Sequence, residues 1–281
     1  MRIFHLSDIH FGLEDPAALE WARQCIALEQ PDAVAITGDL TMRARHREYE
    51  AANAWIDALD VPVTVNIGNH DMPYFNLLER FVSPYRRYRK IESTIECEVD
   101  LPGLAIVPLK TTARAQWRMN WSKGMITRSA LAETLERIDA LPEGTRVIIS
   151  AHHPLVETGT TGTALTRGGC RALEELAARK VLAVLSGHVH DPFDLIEETR
   201  AGPVRMVGAG TLSQRVRSTP PSFNDITVSD GRLKVEVRNL AHVATPDMQI
   251  DDVPEDALPP RRADEPVSPV AAIPAEDPPV H

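Results

Sequence analysis

The chain has 281 residues, a formal net charge of −10, 43% hydrophobic content and 22 prolines. Its length suits one large α/β domain or two small ones, and its three scattered cysteines, Cys25, Cys97 and Cys170, argue against a disulfide framework or a thiolate zinc site. No apolar run approaches the roughly 18 residues that span a membrane, and the first residues enter a strand without the apolar region of a signal peptide, so a soluble cytoplasmic protein is expected.

In chain order, Ile3 to Leu6 reads as a short buried strand that delivers Asp8 and His10 at its end. Side chains two apart on extended backbone share a side, so Asp8 and His10 are expected to close on one ion. Ala17 to Glu29 has helical periodicity through Leu19, Ala22, Ile26 and Ala27. Ala33 to Thr37 is a second strand ending in Gly38-Asp39, and a helix follows from about Arg47 to Leu59. Val63 to Ile67 is a β-branched run that stops at Gly68 and then presents Asn69, His70 and Asp71. The glycine allows a sharp turn and a close approach.

Residues 94–99 and 104–109 read as strands around a Pro-Gly turn. Ser129 to Ala140 reads as a helix, and Arg146 to Ser150 as a strand ending in His152-His153-Pro154. A Gly/Thr-rich loop, 158–169, precedes a helix from Cys170 to Arg179. Val181 to Leu185 is a strand ending in Gly187-His188-Val189-His190, and 193–240 alternates short strands with turns, Ser229-Asp230-Gly231 among them. From Asp247 onward nine Asp/Glu stand against two Arg, which is −7 of the net charge, and nine prolines lie from Pro246 onward. Such a segment buries too little to offset the entropy of ordering, so a folded domain over 1–242 and a disordered tail over 243–281 are expected. The body is then near neutral, at about −3.

Five strand ends carry Asp8/His10, Asp39, Asn69/His70, His152 and His188/His190. In α/β sheets, ligands bind outside the carboxyl ends of strands. Two carboxylates, one amide oxygen and four imidazoles, with no thiolate, suit Mn, Fe, Zn, Co or Mg. Seven donors exceed one tetrahedral site and fit two ions if a carboxylate bridges.

These blocks, in this order, resemble the signature of calcineurin-like metallophosphoesterases, over residues 3 to 190 and with the C-terminal sheet included to about 240. The resemblance implies a four-layer α-β-β-α sandwich of two mixed sheets, with the metal site at the carboxyl ends of strands. It implies two divalent ions (Mn, Fe, Zn or Co), one held by Asp8, His10, Asp39 and His190, the other by Asp39, Asn69, His152 and His188. It implies a metal-bridging hydroxide as nucleophile and His70 as the catalytic group that contacts phosphate or protonates the leaving oxygen. In the family's His-x-Pro pattern the first histidine is the ligand, so His152 is chosen over His153. Some members orient the His70 equivalent with an Asp where this chain has Met42, and Asp71 is then the substitute to test.

Beyond the donors, Arg45 falls where related phosphodiesterases place an arginine, and it is a candidate phosphate contact. Trp117, with Trp121, is a candidate for stacking on a substrate base, with core packing or a homodimer contact as alternatives. Arg86 to Lys90 reads as an exposed helix face or a substrate contact, and loop 158–167 as a lid or a plain connection. His5, His46 and His242 read as capping or surface groups.

The wording of the motifs is similar to the class III cyclic-nucleotide and glycerophosphodiester branch, so a small phosphodiester is the expected substrate. A DNA-repair nuclease is an alternative, against which the near-neutral body argues. A nucleotide-sugar-lipid pyrophosphatase and a non-catalytic metal-binding scaffold are the others.

Overall fold

The structure is a computed structural model that describes residues 1–72, 101–112, 122–163, 166–229 and 231–240. The expected strand at 94–99, the Arg86 to Lys90 cluster, Trp117, Trp121, His242 and the tail boundary lie outside the described residues. No described helix is long and apolar enough to cross a membrane.

The first half builds β1 (Arg2–Leu6), α1 (Pro16–Glu29), β2 (Ala33–Ile36), α2 (His46–Asp57) and β3 (Val63–Val65). After these come β4 (Leu104–Leu109), α3 (Arg128–Asp139), β5 (Arg146–Ala151), α4 (Gly169–Ala178) and β6 (Ala183–Ser186). Four strands close the described chain: β7 (Phe193–Thr199), β8 (Gly202–Gly208), β9 (Ser222–Ser229) and β10 (Arg232–Asn239). They form two hairpins, and the second pairs Ser229 with Arg232 across the place where a turn is expected. Helix boundaries follow local chemistry. Asp15 accepts hydrogen bonds from the amides of Ala17 and Ala18, Pro16 opens α1, and Gln30 in the left-handed region ends it.

The strands make two five-stranded mixed sheets, ordered β10-β9-β1-β2-β3 and β4-β5-β6-β8-β7. Period-two alternation divides them into layers. On β1 and β2, Phe4, Leu6, Val34 and Ile36 face α1 and α2, whereas Ile3, Ala33 and Ala35 face the other sheet. On β5, Val147 and Ile149 pack toward α3 and α4, while Ile148 joins the layer between the sheets. The order is therefore helix, sheet, sheet, helix. β1, β2 and β3 run parallel in one sheet, and β4, β5, β6 and β8 in the other. The residues after β1, β2, β3, β5 and β6 meet at one end of both sheets, as the contacts below show.

His5 departs from its expected surface role. It is wholly buried on β1, where Nδ1 meets Asn224 Nδ2 at 3.2 Å and Nε2 meets Thr37 Oγ1 at 3.0 Å.

Candidate metal centre

Asp8 and His10 converge, though not by the pleat. Both have left-handed backbone, with φ of 54° and 52°, and so do Asp39 (52°), His188 (69°) and His190 (61°). Five of the nine described non-glycine residues with positive φ are thus proposed donors. Each such turn is unfavourable for a side-chain-bearing residue, and strain of this kind concentrates where a site needs it. The turns are held by main chain: Asp8 N donates to Gly38 O at 3.1 Å and His10 N to Asp39 O at 2.9 Å. Gly68 permits a close approach, since a Cβ there would overlap the Asp39 carboxylate and amide.

The seven donors come together. His190 Nε2 lies 3.0 Å from Asp8 Oδ1, and His10 Nε2 lies 3.6 Å from the same oxygen. Asp39 Oδ2 stands between the two halves, 3.8 Å from His10 Nε2 and 3.4 Å from His152 Nε2. Asn69 Oδ1 is 3.1 Å from His152 Nε2, and His152 and His188 stack edge to face with centroids 5.3 Å apart. All but the half-buried His188 are buried.

Second partners aim the rings. His152 Nδ1 donates to Thr37 O at 2.8 Å and His190 Nδ1 to Arg215 O at 2.7 Å, so each Nε2 lone pair is turned inward. His153 has the opposite arrangement. Its Nε2 donates to Ser122 O at 2.8 Å, and its Nδ1 accepts from the Thr111 hydroxyl at 2.8 Å. Both its nitrogens are thus taken by groups outside the donor cluster, whereas His152 Nε2 faces Asp39 and Asn69 inside it, which favours His152 as the ligand.

Burial pushes the Asp8 and Asp39 carboxyls up, and the surrounding histidines outweigh it, so both are held well below the usual carboxylate range. Burial lowers His188 to about 3, with His152 adding to it. At His152 burial also acts downward, but Asp39 prevails and raises it to about 9. The residues fit divalent cations on their own chemistry. His10 Nε2 and His190 Nε2 face one another at 3.3 Å beside Asp8 Oδ1, an oxygen with no hydrogen-bond donor among the described residues, in a buried cluster of oxygen and nitrogen donors.

His70 stands at the edge of this cluster. Its Nδ1 donates to Met42 O at 2.8 Å, and its amide donates to Asp39 Oδ1 at 2.8 Å. Asp71 does not orient it. The Asp71 carboxylate accepts from the amides of Thr41 (2.8 Å) and Gly68 (2.9 Å), bracing the two loops instead. Arg45 precedes α2 as its N-cap, with Nε 3.8 Å from Glu48 Oε1, and it is not among the described residues lining the cavity.

That cavity, about 250 Å³, opens over Asp39, Asn69, His70 and His188. Loop 158–167 contributes Thr161 and Thr163 to its wall. Two residues missed in the sequence also line it, Arg215 and Arg217, from the loop after β8. Arg215 Nη1 donates toward His70 Nε2 at 3.2 Å and His10 Nε2 at 3.3 Å. The available signal was two arginines spaced by one residue just after a parallel strand.

Residues 1–192 match the family model for calcineurin-like phosphoesterases. A 94-residue stretch is 36% identical to an uncharacterized protein of Schizosaccharomyces pombe, covering 25% of this chain and 18% of that one. A probable cyclic nucleotide phosphodiesterase of Synechococcus is 25% identical over 208 residues, 69% of this chain and 74% of the relative. The D subunit of the nuclease SbcCD from Staphylococcus saprophyticus is 24% identical over 222 residues, 69% of this chain and 58% of that subunit. Among solved structures, a dimetal phosphatase from Danio rerio superposes with a TM-score of 0.62 at 14% identity, over 85% of this chain and 96% of that one, a likeness of fold. A matched model covering more than half the chain, on this fold and with this donor cluster, makes the chain a member of the calcineurin-like phosphoesterase family, whose members use two divalent metal ions.

Proposed function

We propose that the protein hydrolyses a P–O bond of a small phosphodiester, a 3′,5′-cyclic nucleotide or a glycerophosphodiester. The observation that carries this reading is the pair of donor sets sharing Asp39 at the floor of a small cavity, with His70 and Arg215 beside them. The alignment with a probable cyclic nucleotide phosphodiesterase supports the diester class. A near-neutral body and a cavity of this size favour a small substrate over a nucleic acid strand.

In this reading Asp8, His10, Asp39 and His190 hold one ion, and Asp39, Asn69, His152 and His188 the other. Bound there, the ions supply Lewis acidity that neutralises phosphoryl charge and activates water for in-line attack. With Nδ1–H tied to Met42 O, His70 turns Nε2 to the cavity, and as the imidazolium it would donate Nε2–H to a phosphoryl oxygen or pass that proton to the leaving alkoxide. Arg215, beside it, adds fixed positive charge where the transition state gains negative charge.

The test is hydrolysis by stripped protein reloaded with Mn²⁺, offered 3′,5′-cyclic AMP, a glycerophosphodiester, a chromogenic diester, its monoester and single-stranded DNA. Metal-dependent turnover fastest on a small diester is expected. Two bound ions with no diester turnover, or fastest turnover on the monoester or DNA, would reject the reading.

A further inference from the structure

The cavity carries more positive charge than one diester needs. Lys123, Arg215 and Arg217 all line it, against one carboxylate, Asp39, among the described lining residues. Elsewhere Arg2, Arg179, Arg205 and Arg238 each meet a carboxylate within 4 Å. Among the described residues Arg215 and Arg217 meet none. Arg215 is half-buried and turned to His70 and His10, the end of the cavity where the scissile phosphate belongs. Arg217 is exposed at two residues' remove, and Lys123 bonds the Thr163 hydroxyl at 3.1 Å.

The loop that carries the two arginines is braced beside them. Asp191, buried directly after His190, accepts from the Thr161 hydroxyl at 2.5 Å and from the amide and hydroxyl of Ser218 at 2.9 and 2.6 Å. One carboxylate therefore ties the loop carrying Thr161 and Thr163 to the loop carrying Arg215 and Arg217. The tie fixes the walls without sitting in the cavity, since Asp191 is not among its lining residues. Guanidinium groups carried into a cavity wall by a braced loop are suited to an anionic ligand.

We propose that the site selects phosphodiesters whose esterified group bears a second anion, a carboxylate or a phosphate, which Arg217 and Lys123 bind while Arg215 contacts the scissile phosphate. The inference rests on the phosphodiesterase reading and narrows it. A diester with one charge, such as a cyclic nucleotide, leaves the outer end of the cavity unmatched, whereas a glycerophosphodiester with an acidic substituent engages it.

The experiment is calorimetric titration of the Mn²⁺-loaded protein with three unreactive phosphonates: butylphosphonate, 4-phosphonobutyrate and propane-1,3-bisphosphonate. At least one doubly functional ligand is expected to bind about tenfold more tightly than butylphosphonate, and the better of the two identifies the second anion. In the Lys123→Ala/Arg217→Ala double variant that ratio is expected to fall to about one, with the melting temperature confirming an intact fold. A wild-type ratio below about threefold for both ligands, no binding by any of them, or a ratio that survives in the double variant overturns the inference. The hydrolysis panel separates the two ideas. Diester turnover without charge preference removes only this inference, whereas charge preference without diester turnover removes the phosphodiesterase reading and leaves of this inference only the second anion site.

Discussion

Nδ1 of His70 donates to the main-chain carbonyl of Met42 at 2.8 Å. The carbonyl comes from the loop after β2, at the position where the family resemblance implies an orienting carboxylate side chain. A carbonyl fixes the tautomer and the ring plane as a carboxylate would, without adding a negative charge. Because the partner is backbone, the Met42 side chain is dispensable for it.

Met42→Ala is accordingly expected to leave kcat/KM on the best diester within about threefold. His70→Ala is expected to lower kcat by about 10² to 10⁴. Steady-state kinetics of the two variants check this, and a collapse in Met42→Ala would show that the side chain carries the function.

Asp39 stands between the two donor sets, so its loss is expected to affect both ions. Asp39→Asn should hold one metal ion or fewer per chain, while Asn69→Ala and His188→Ala should each weaken one ion and lower turnover by about a hundredfold or more. Elemental analysis after gel filtration, with circular dichroism to confirm folding, measures both effects. Two tightly held ions in Asp39→Asn would remove the bridging assignment.

Gly187 packs against the Asp8 loop, and a Cβ on it would overlap Ser7 Oγ and Asp8 Oδ2. Gly187→Ala should therefore displace the carboxylate proposed to hold a metal ion and lose metal affinity together with activity. Gly103→Ala is the control. Its φ of +72° makes the substitution strained, but nothing lies within 4 Å of the new Cβ, so a cost of about 1 kcal/mol with activity unchanged is expected. Metal content and melting temperature distinguish the two.

His5 links folding to pH. Burial lowers it to about 3, with Asp8 opposing, and its hydrogen bonds suit the neutral ring. Between its unfolded value of 6.5 and about 3 the unfolded chain binds the extra proton, so stability falls as pH falls below 6.5. From pH 7 to 5 the wild type should lose about 2 kcal/mol more than His5→Gln, read from urea midpoints at each pH. Equal losses would show that His5 does not carry this dependence.

The amino-acid sequence determined the strands, the helices and their order, because alternating runs such as Phe4 to Leu6 and Val34 to Ile36 bury on both faces and leave no other period open. It also marked the candidate donors that the structure brings together, because each follows directly on a buried run that ends at the same edge. Local pattern could not show how Asp8 and His10 converge, which depends on left-handed turns zipped to the neighbouring strand. Nor could it separate His152 from His153, adjacent and chemically identical until Thr37, Thr111 and Ser122 supply their partners from distant segments. Arg215 sits 145 residues from His70 in sequence, and Met42 offers a main-chain atom that side-chain identity does not reveal. Those choices are made by long-range hydrogen bonds, which exist only once both sheets have brought their carboxyl ends together.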